Sequence, residues 1–167
     1  MINSNEPTWL AEARKHIGER EIKGAKHSSW IVSLWKKIKR GGIKDDETPW
    51  CAAFVGACLE DVGIVSSRFE SAKSYETWGV DLKAPTLGCI VVLTREGGGH
   101  VGFAVGHNGA GKLLILGGNQ GDEVNIRAFG HDRTISAKYR WPTGVAVPNS
   151  KLPMLAHATY TVSKAEA

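Results

Sequence analysis

The chain has 167 residues, 42% of them apolar and 23% charged, with a formal net charge of +4. That is enough for one domain with a sizeable hydrophobic core and no need of staples. No apolar run approaches the ~18 residues needed to cross a bilayer, and Met1–Pro7 is polar, so neither stable membrane insertion nor a secretory signal is expected.

The first half reads as helical. Thr8 can cap a helix with Leu10, Ala13 and Ile17 on one face, stopping at Gly18. Ser28 or Ser29 starts a second helix with Trp30, Ile31, Leu34, Trp35 and Ile38 inward, ended by Gly41-Gly42. Much of the basic charge lies at the end of this helix, in Lys36, Lys37, Lys39 and Arg40. Cations there complement the helix dipole, and no aromatic-basic interleaving accompanies them, so no nucleic-acid partner is expected. A third helix begins at Cys51, after Pro49 has biased Thr48 away from helix. It buries one face through Phe54, Val55, Cys58, Leu59 and Val62, and stops at Gly63. A short fourth helix spans Ser71 to Trp78.

From Pro85 the periodicity changes. Cys89–Thr94, Val101–Val105, Leu113–Leu116, Val124–Phe129 and Ser136–Trp141 read as short strands, separated by glycine-rich turns. Helices first and a meander of strands afterwards predict an α+β fold, with an antiparallel sheet packed on the Cys51 helix. Residues 1–148 are read as one domain. Residues 149–167 lose periodicity and are read as a loosely ordered tail, in which Leu152–Leu155 can dock locally.

Cys51 is the chemically suggestive residue. A thiol at a helix start faces backbone N–H groups that lack helical partners and the positive end of the dipole, both of which favour the reactive thiolate. The three cysteines are an odd number with no CxxC pair, which argues against a disulfide framework and a structural zinc. Cys58 and Cys89 read as core. A thiolate hydrolase also needs a base near sulfur and a group that orients the base. His100 opens a strand after the loop Gly97-Gly98-Gly99, which is read as mobile, and Asn119 sits in the turn Gly117-Gly118-Asn119-Gln120-Gly121. If the two strands pair, Asn119 can orient the imidazole by accepting from one ring N–H.

The runs Asp46-Glu47-Thr48-Pro49-Trp50-Cys51-Ala52-Ala53-Phe54-Val55, Gly99-His100-Val101-Gly102-Phe103 and Leu116-Gly117-Gly118-Asn119-Gln120 resemble the CHAP (cysteine- and histidine-dependent amidohydrolase/peptidase) superfamily. The likeness is to a branch common in bacteriophages that includes small endolysins. Pro7-Thr8-Trp9-Leu10 and Tyr139-Arg140-Trp141-Pro142 extend it over roughly residues 7 to 142. One departure is Cys89, where an acidic residue often follows the glycine. The resemblance implies a papain-like fold with Cys51 as nucleophile, His100 as base and Asn119 as orienting residue. It implies cleavage of an amide bond of bacterial peptidoglycan by a protein made in the host cytoplasm and released to the wall by a holin; delivery on a virion or through a secretion machine fits equally well, and a monomer is expected. Amidase and endopeptidase specificities both stay open.

In such a mechanism the Cys51 backbone N–H holds part of the oxyanion, and a second donor is needed. Gln120 and Trp50 are candidates for it. Trp78 with Tyr75, and Glu21 in the loop after the first helix, are candidates for a substrate-facing wall. Asp45, Asp46 and Glu47 lack the ligand spacing of an EF-hand-like loop and read as a solvated or capping run, so no metal and no cofactor are expected. The remaining histidines, His16 and His27 among them, show no chemical neighbours in sequence. Two other readings keep the fold: a non-catalytic phage structural or wall-binding protein, and a thiol amidase effector or peptidase with another substrate. The intact cysteine, histidine and amide set counts against the first.

Overall fold

The computed structural model describes residues 6–24, 26–95, 98–149, 151–155 and 160–163. Three helices come first: α1 (Thr8–Arg14), α2 (Ser29–Lys37) and α3 (Cys51–Glu60). A 3₁₀ helix (Ala72–Thr77) follows. The strands are β1 (Val80–Leu82), β2 (Ile90–Arg95), β3 (Gly98–His107), β4 (Leu113–Gly117), β5 (Asn125–Phe129) and β6 (Lys138–Trp141), with the short α4 (His131–Thr134) before β6. The expected α+β class holds, with an antiparallel sheet of six strands in the order β1-β6-β2-β3-β4-β5.

Local chemistry accounts for most helix boundaries. Ser28 caps α2 by accepting from the Ile31 N–H at 3.3 Å. Thr8 is not a cap: Pro7 holds that position, Thr8 is the first helical residue, and no side chain caps this end. Helix α2 ends before Gly41-Gly42, because Lys39 already adopts a left-handed conformation at φ 65°.

Helix α3 differs most from its sequence pattern. One buried face was expected, yet every residue from Cys51 to Leu59 is buried. The reason is that α1 and α2 cover one side while β3 and β4 cover the other, so this helix is the centre of the core. Burying Phe54, Val55 and Leu59 completely stabilises the fold by about 1.5–3 kcal/mol each.

Two elements had no sequence signal. Strand β1 is a three-residue edge, paired to β6 through Val80 opposite Trp141, and α4 has only four residues. Both are too short for periodicity to register. Strand β3 runs past the end of β2, and residues 153–155 take up the freed edge: the His107 N–H donates to the Pro153 carbonyl at 2.9 Å, and the Leu155 N–H to the His107 carbonyl at 2.8 Å. Residues 161–163 bond similarly to Ala128 of β5.

Candidate active site

Cys51 is the first residue of α3, as the sequence predicts. No side chain caps this end. The first intrahelical bond runs from the Phe54 N–H to the Trp50 carbonyl at 3.0 Å, so the helix ladder does not use the N–H groups of residues 51–53. Cys51 is buried but retains 6% exposure, against 1% for Cys58 and 0% for Cys89. Burial pushes the Cys89 thiol up to about 12 and raises Cys58 well above an ordinary thiol, which makes both inert at neutral pH.

The segment before Cys51 is tied down by polar contacts. Asp45 Oδ1 accepts from the Thr48 N–H at 2.7 Å and the Glu47 N–H at 3.0 Å, a local turn. Asp46 is not solvated, contrary to one half of the expectation. It is fully buried, with Oδ2 accepting from the Ile22 and Ser28 N–H groups at 2.8 Å each and Oδ1 facing His27 Nδ1 at 2.9 Å. Burial alone would raise its carboxyl pKa, but the Ser28, His27 and Ile22 bonds outweigh burial and hold it below the usual range. The Asp46 bond in turn raises His27.

His27 therefore has a partner that its sequence position concealed, and so has His16, which lies 3.2 Å from Glu12. Among the described residues, His27, Asp46 and Glu47 offer ligand atoms within 4.8 Å of one another, as do Glu12, His16 and Asp61. The Asp46 oxygens are already engaged by three donors, which fits a clamp better than a cation ligand.

Trp50 is fully buried against Trp30, ring centroids 6.4 Å apart, and its indole N–H donates to Glu21 Oε1 at 2.8 Å. Glu21 thus holds the residue that precedes Cys51. Burial raises its carboxyl pKa, the Trp50 bond opposes this, and the charges of Asp122, Asp46 and Glu47 add to the rise. A cleft of about 240 Å³ is lined by Arg20, Glu21, Lys23, Gly121, Asp122 and Glu123. It adjoins both Trp50, through Glu21, and Gln120, through Gly121.

His100 is the third residue of β3 rather than its first, paired with Leu93 and buried. Strand β3 starts earlier than expected because Gly98 and Gly99 pair with Arg95 and Thr94. Two of the three glycines read as a mobile loop are therefore strand residues, and Gly97 lies outside the described residues. The imidazole stacks on Phe129, centroids 5.7 Å apart and 16° from parallel. Its Nε2 lies 2.9 Å from Gln120 Oε1. Gln120 is fully buried, and its amide nitrogen bonds the Ile115 carbonyl at 3.2 Å, the Asn125 carbonyl at 2.9 Å and Asn125 Oδ1 at 3.0 Å. Asn119 is buried in the same turn, with φ 59°.

Two glycines bring the halves together. A Cβ on Gly118 would lie 2.6 Å from the Trp50 ring and 2.7 Å from Phe54 Cβ; one on Gly117 would lie 2.5 Å from Gln120 Oε1 and 3.3 Å from His100 Nε2. The end of β4 thus approaches the imidazole with one residue and Trp50 and Phe54 of the Cys51 helix region with the next. Only residues without side chains allow that approach.

The other sequence candidates have different placements. The amide N–H groups of Gln120 face protein acceptors and the Trp50 indole N–H faces Glu21, so neither side chain has a donor aimed at an oxyanion. Trp78 is not brought to the cluster. It packs edge-on against Tyr75, donates to the Val65 carbonyl and lines a separate cleft of about 330 Å³ with Ile64, Thr143 and others beyond the C-terminal end of α3. Tyr75 is buried core. Phe129 and Asn125, which pack on the site, were missed. The strand pattern of β5 was visible, but its register against β4 was not.

A thiol at a helix start, across a pair of glycines from a buried and hydrogen-bonded imidazole, supplies the residue types that a cysteine-dependent hydrolase uses. Residues 43–119 match the family model of the CHAP domain, so this part of the chain is similar to that family. This supports a cysteine- and histidine-dependent amidohydrolase or peptidase, with peptidoglycan the implied substrate. Cys51, His100 and Asn119 all lie within the matched span; Gln120 is the first residue beyond it. No curated protein matches the chain. Among the described residues, no helix is long and apolar enough to cross a membrane.

Proposed function

We propose that this protein is a phage endolysin-like peptidoglycan hydrolase, with Cys51 as nucleophile and His100 as base. The observation that carries this reading is the convergence of Gly117 and Gly118 on the two residues' immediate surroundings, His100 on one side and Trp50, next to Cys51, on the other.

The Cys51 thiolate attacks a carbonyl carbon of the wall peptide. The C–N bond breaks as the protonated His100 gives its proton to the leaving amine, and a thioester remains. Water then attacks the thioester with His100 taking its proton, releasing a carboxylate and restoring the thiol. The N–H groups at the start of α3, which the helix ladder does not use, face the developing negative charge. The cleft beside Glu21 and Gly121 receives the substrate strand. On this reading the enzyme acts as a monomer, is made in the host cytoplasm and reaches the wall after holin-type release.

Turbidity clearing of purified cell walls tests the reading. Cys51→Ala is expected to remove clearing by a factor of roughly 10⁴ or more while leaving the circular dichroism unchanged. Equal clearing by both proteins would sink the thiolate mechanism. Mass spectrometry of the released fragments then assigns the bond: free glycan with new alanine N-termini marks an amidase, and cut stem peptides mark an endopeptidase.

A further inference from the structure

We infer that Gln120 is the positioning residue that sets the tautomer and rotation of His100, leaving Nδ1 as the nitrogen that exchanges a proton with the thiol. The inference rests on His100 being the base, and it assigns to Gln120 a role that the sequence pattern places on Asn119.

The argument is one of donors and acceptors. One end of the Gln120 amide lies within hydrogen-bond distance of the Ile115 and Asn125 carbonyl oxygens, which can only accept. That end must be the NH₂. The third neighbour agrees. Asn125 Nδ2 donates to the Gln120 carbonyl at 2.9 Å and to Glu123 Oε1 at 2.8 Å, both acceptors, so Asn125 turns its oxygen to Gln120. The orientation of both amides is fixed by groups whose polarity is not in question.

The oxygen end of Gln120 therefore faces His100 Nε2 at 2.9 Å. An oxygen without a proton can only accept, so Nε2 carries the hydrogen. A neutral imidazole has one N–H, and its lone pair then resides on Nδ1. Phe129 covers one face of the ring, so the in-plane bond and the stack together restrain both rotations of the imidazole. Gln120 has the burial and the full set of partners expected of such a holder. Glycine at 117 is required by the same arrangement, because a side chain there would collide with the Gln120 oxygen.

Glutamate would be a poor substitute. A carboxylate at 120 would turn one oxygen toward the carbonyls of Ile115 and Asn125, where only a donor is tolerated.

The test uses the full chain with ¹⁵N-labelled histidine and long-range ¹H–¹⁵N correlation spectra, the His100 signals being identified by their loss in His100→Gln. The expected result is a slowly exchanging imidazole proton on Nε2. It should be lost in Gln120→Met and weakened in Asn125→Ala, but kept in Asn119→Ala. Wall clearing should fall about 10- to 100-fold in kcat for Gln120→Met with KM little changed, and Gln120→Glu should not rescue it. A parent protein with a proton on Nδ1 and none on Nε2 overturns the inference without any variant, so a failure of Gln120→Met to fold leaves it testable. An Nε2 proton that survives Gln120→Met and vanishes in Asn119→Ala overturns it too. Clearing by Cys51→Ala would instead refute the hydrolase reading, and the spectra would still report on Gln120.

Discussion

The two halves of the site are held by different physics. Cys51 belongs to a helix whose position is set by apolar burial on every side, with Trp50, Phe54 and Val55 in the core. His100 is held by directional bonds, from Gln120 in the ring plane and Asn125 behind it. Close packing places a backbone, and small errors can be absorbed by neighbouring side chains. A polar network sets an angle and a tautomer, and losing one member leaves buried groups unpaired. On the proposed mechanism Cys51 needs placement and His100 needs orientation, so each half uses the force suited to it.

The polar exception on the nucleophile side offers the largest test. Asp46→Ala leaves the Ile22 and Ser28 N–H groups without their acceptor, and should lower the unfolding free energy in urea by about 3 kcal/mol. A loss under about 1 kcal/mol would mean that apolar burial alone places this segment. The pH dependence follows from the lowered Asp46 pKa. Its stabilisation is fully present above the unfolded value, about 4, and is lost as pH falls through the lower folded value. Melting temperatures of the parent should therefore drop on acidification below about pH 4, and Asp46→Asn should flatten that part of the curve. The raised His27 acts in the opposite sense: its contribution is complete below about pH 6.5 and fades as pH rises through its folded value.

The paired glycines sharpen the contrast more directly. Gly118→Ala drives a methyl against Trp50 and Phe54, in the packed half, and should cost about 1–3 kcal/mol of stability by overpacking. Gly117→Ala meets Gln120 and His100 in the polar half. It should reduce clearing roughly 10-fold with a smaller stability loss. Interchanged outcomes in denaturation and clearing assays would show that the division of labour is wrong.

The smallest effect is expected at Glu21→Gln. The amide keeps an oxygen for the Trp50 indole and removes a carboxylate whose pKa is raised. A raised acid contributes stability only below its unfolded pKa and loses it as pH rises, so nothing is forfeited at neutral pH. Stability should stay within about 0.5 kcal/mol of the parent, measured by thermal melting at pH 7. A larger loss would make the charge itself part of the Trp50 anchor.

Much of this fold could be read in the chain. The start of α3 at Cys51, the Ser28 cap and five of the six strands follow from spacing, caps and turn residues, all of which are local. So do Cys51 and His100 as candidates, and the turn that carries Asn119 and Gln120. What local pattern cannot convey is that the Gln120 side chain reaches the imidazole, since Asn119 and Gln120 are both amides in a glycine-rich loop. The choice depends on β5 arriving in a register that sets Asn125 beside Gln120 and Phe129 over the ring.

The same limit explains Asp46, Glu21 and Trp78. Asp46 reads as part of a solvated or capping run, and Glu21 and Trp78 as substrate-facing candidates, until the folded chain sets His27 against Asp46, Trp50 against Glu21, and Trp78 against Tyr75 and the Val65 carbonyl. Periodicity and capping act within a few residues, so the sequence alone establishes most of the elements and the place of Cys51 at a helix start. Hydrogen-bond partners separated by tens of residues are selected by packing of the whole sheet against α3, and that selection sets Gln120 against the His100 imidazole.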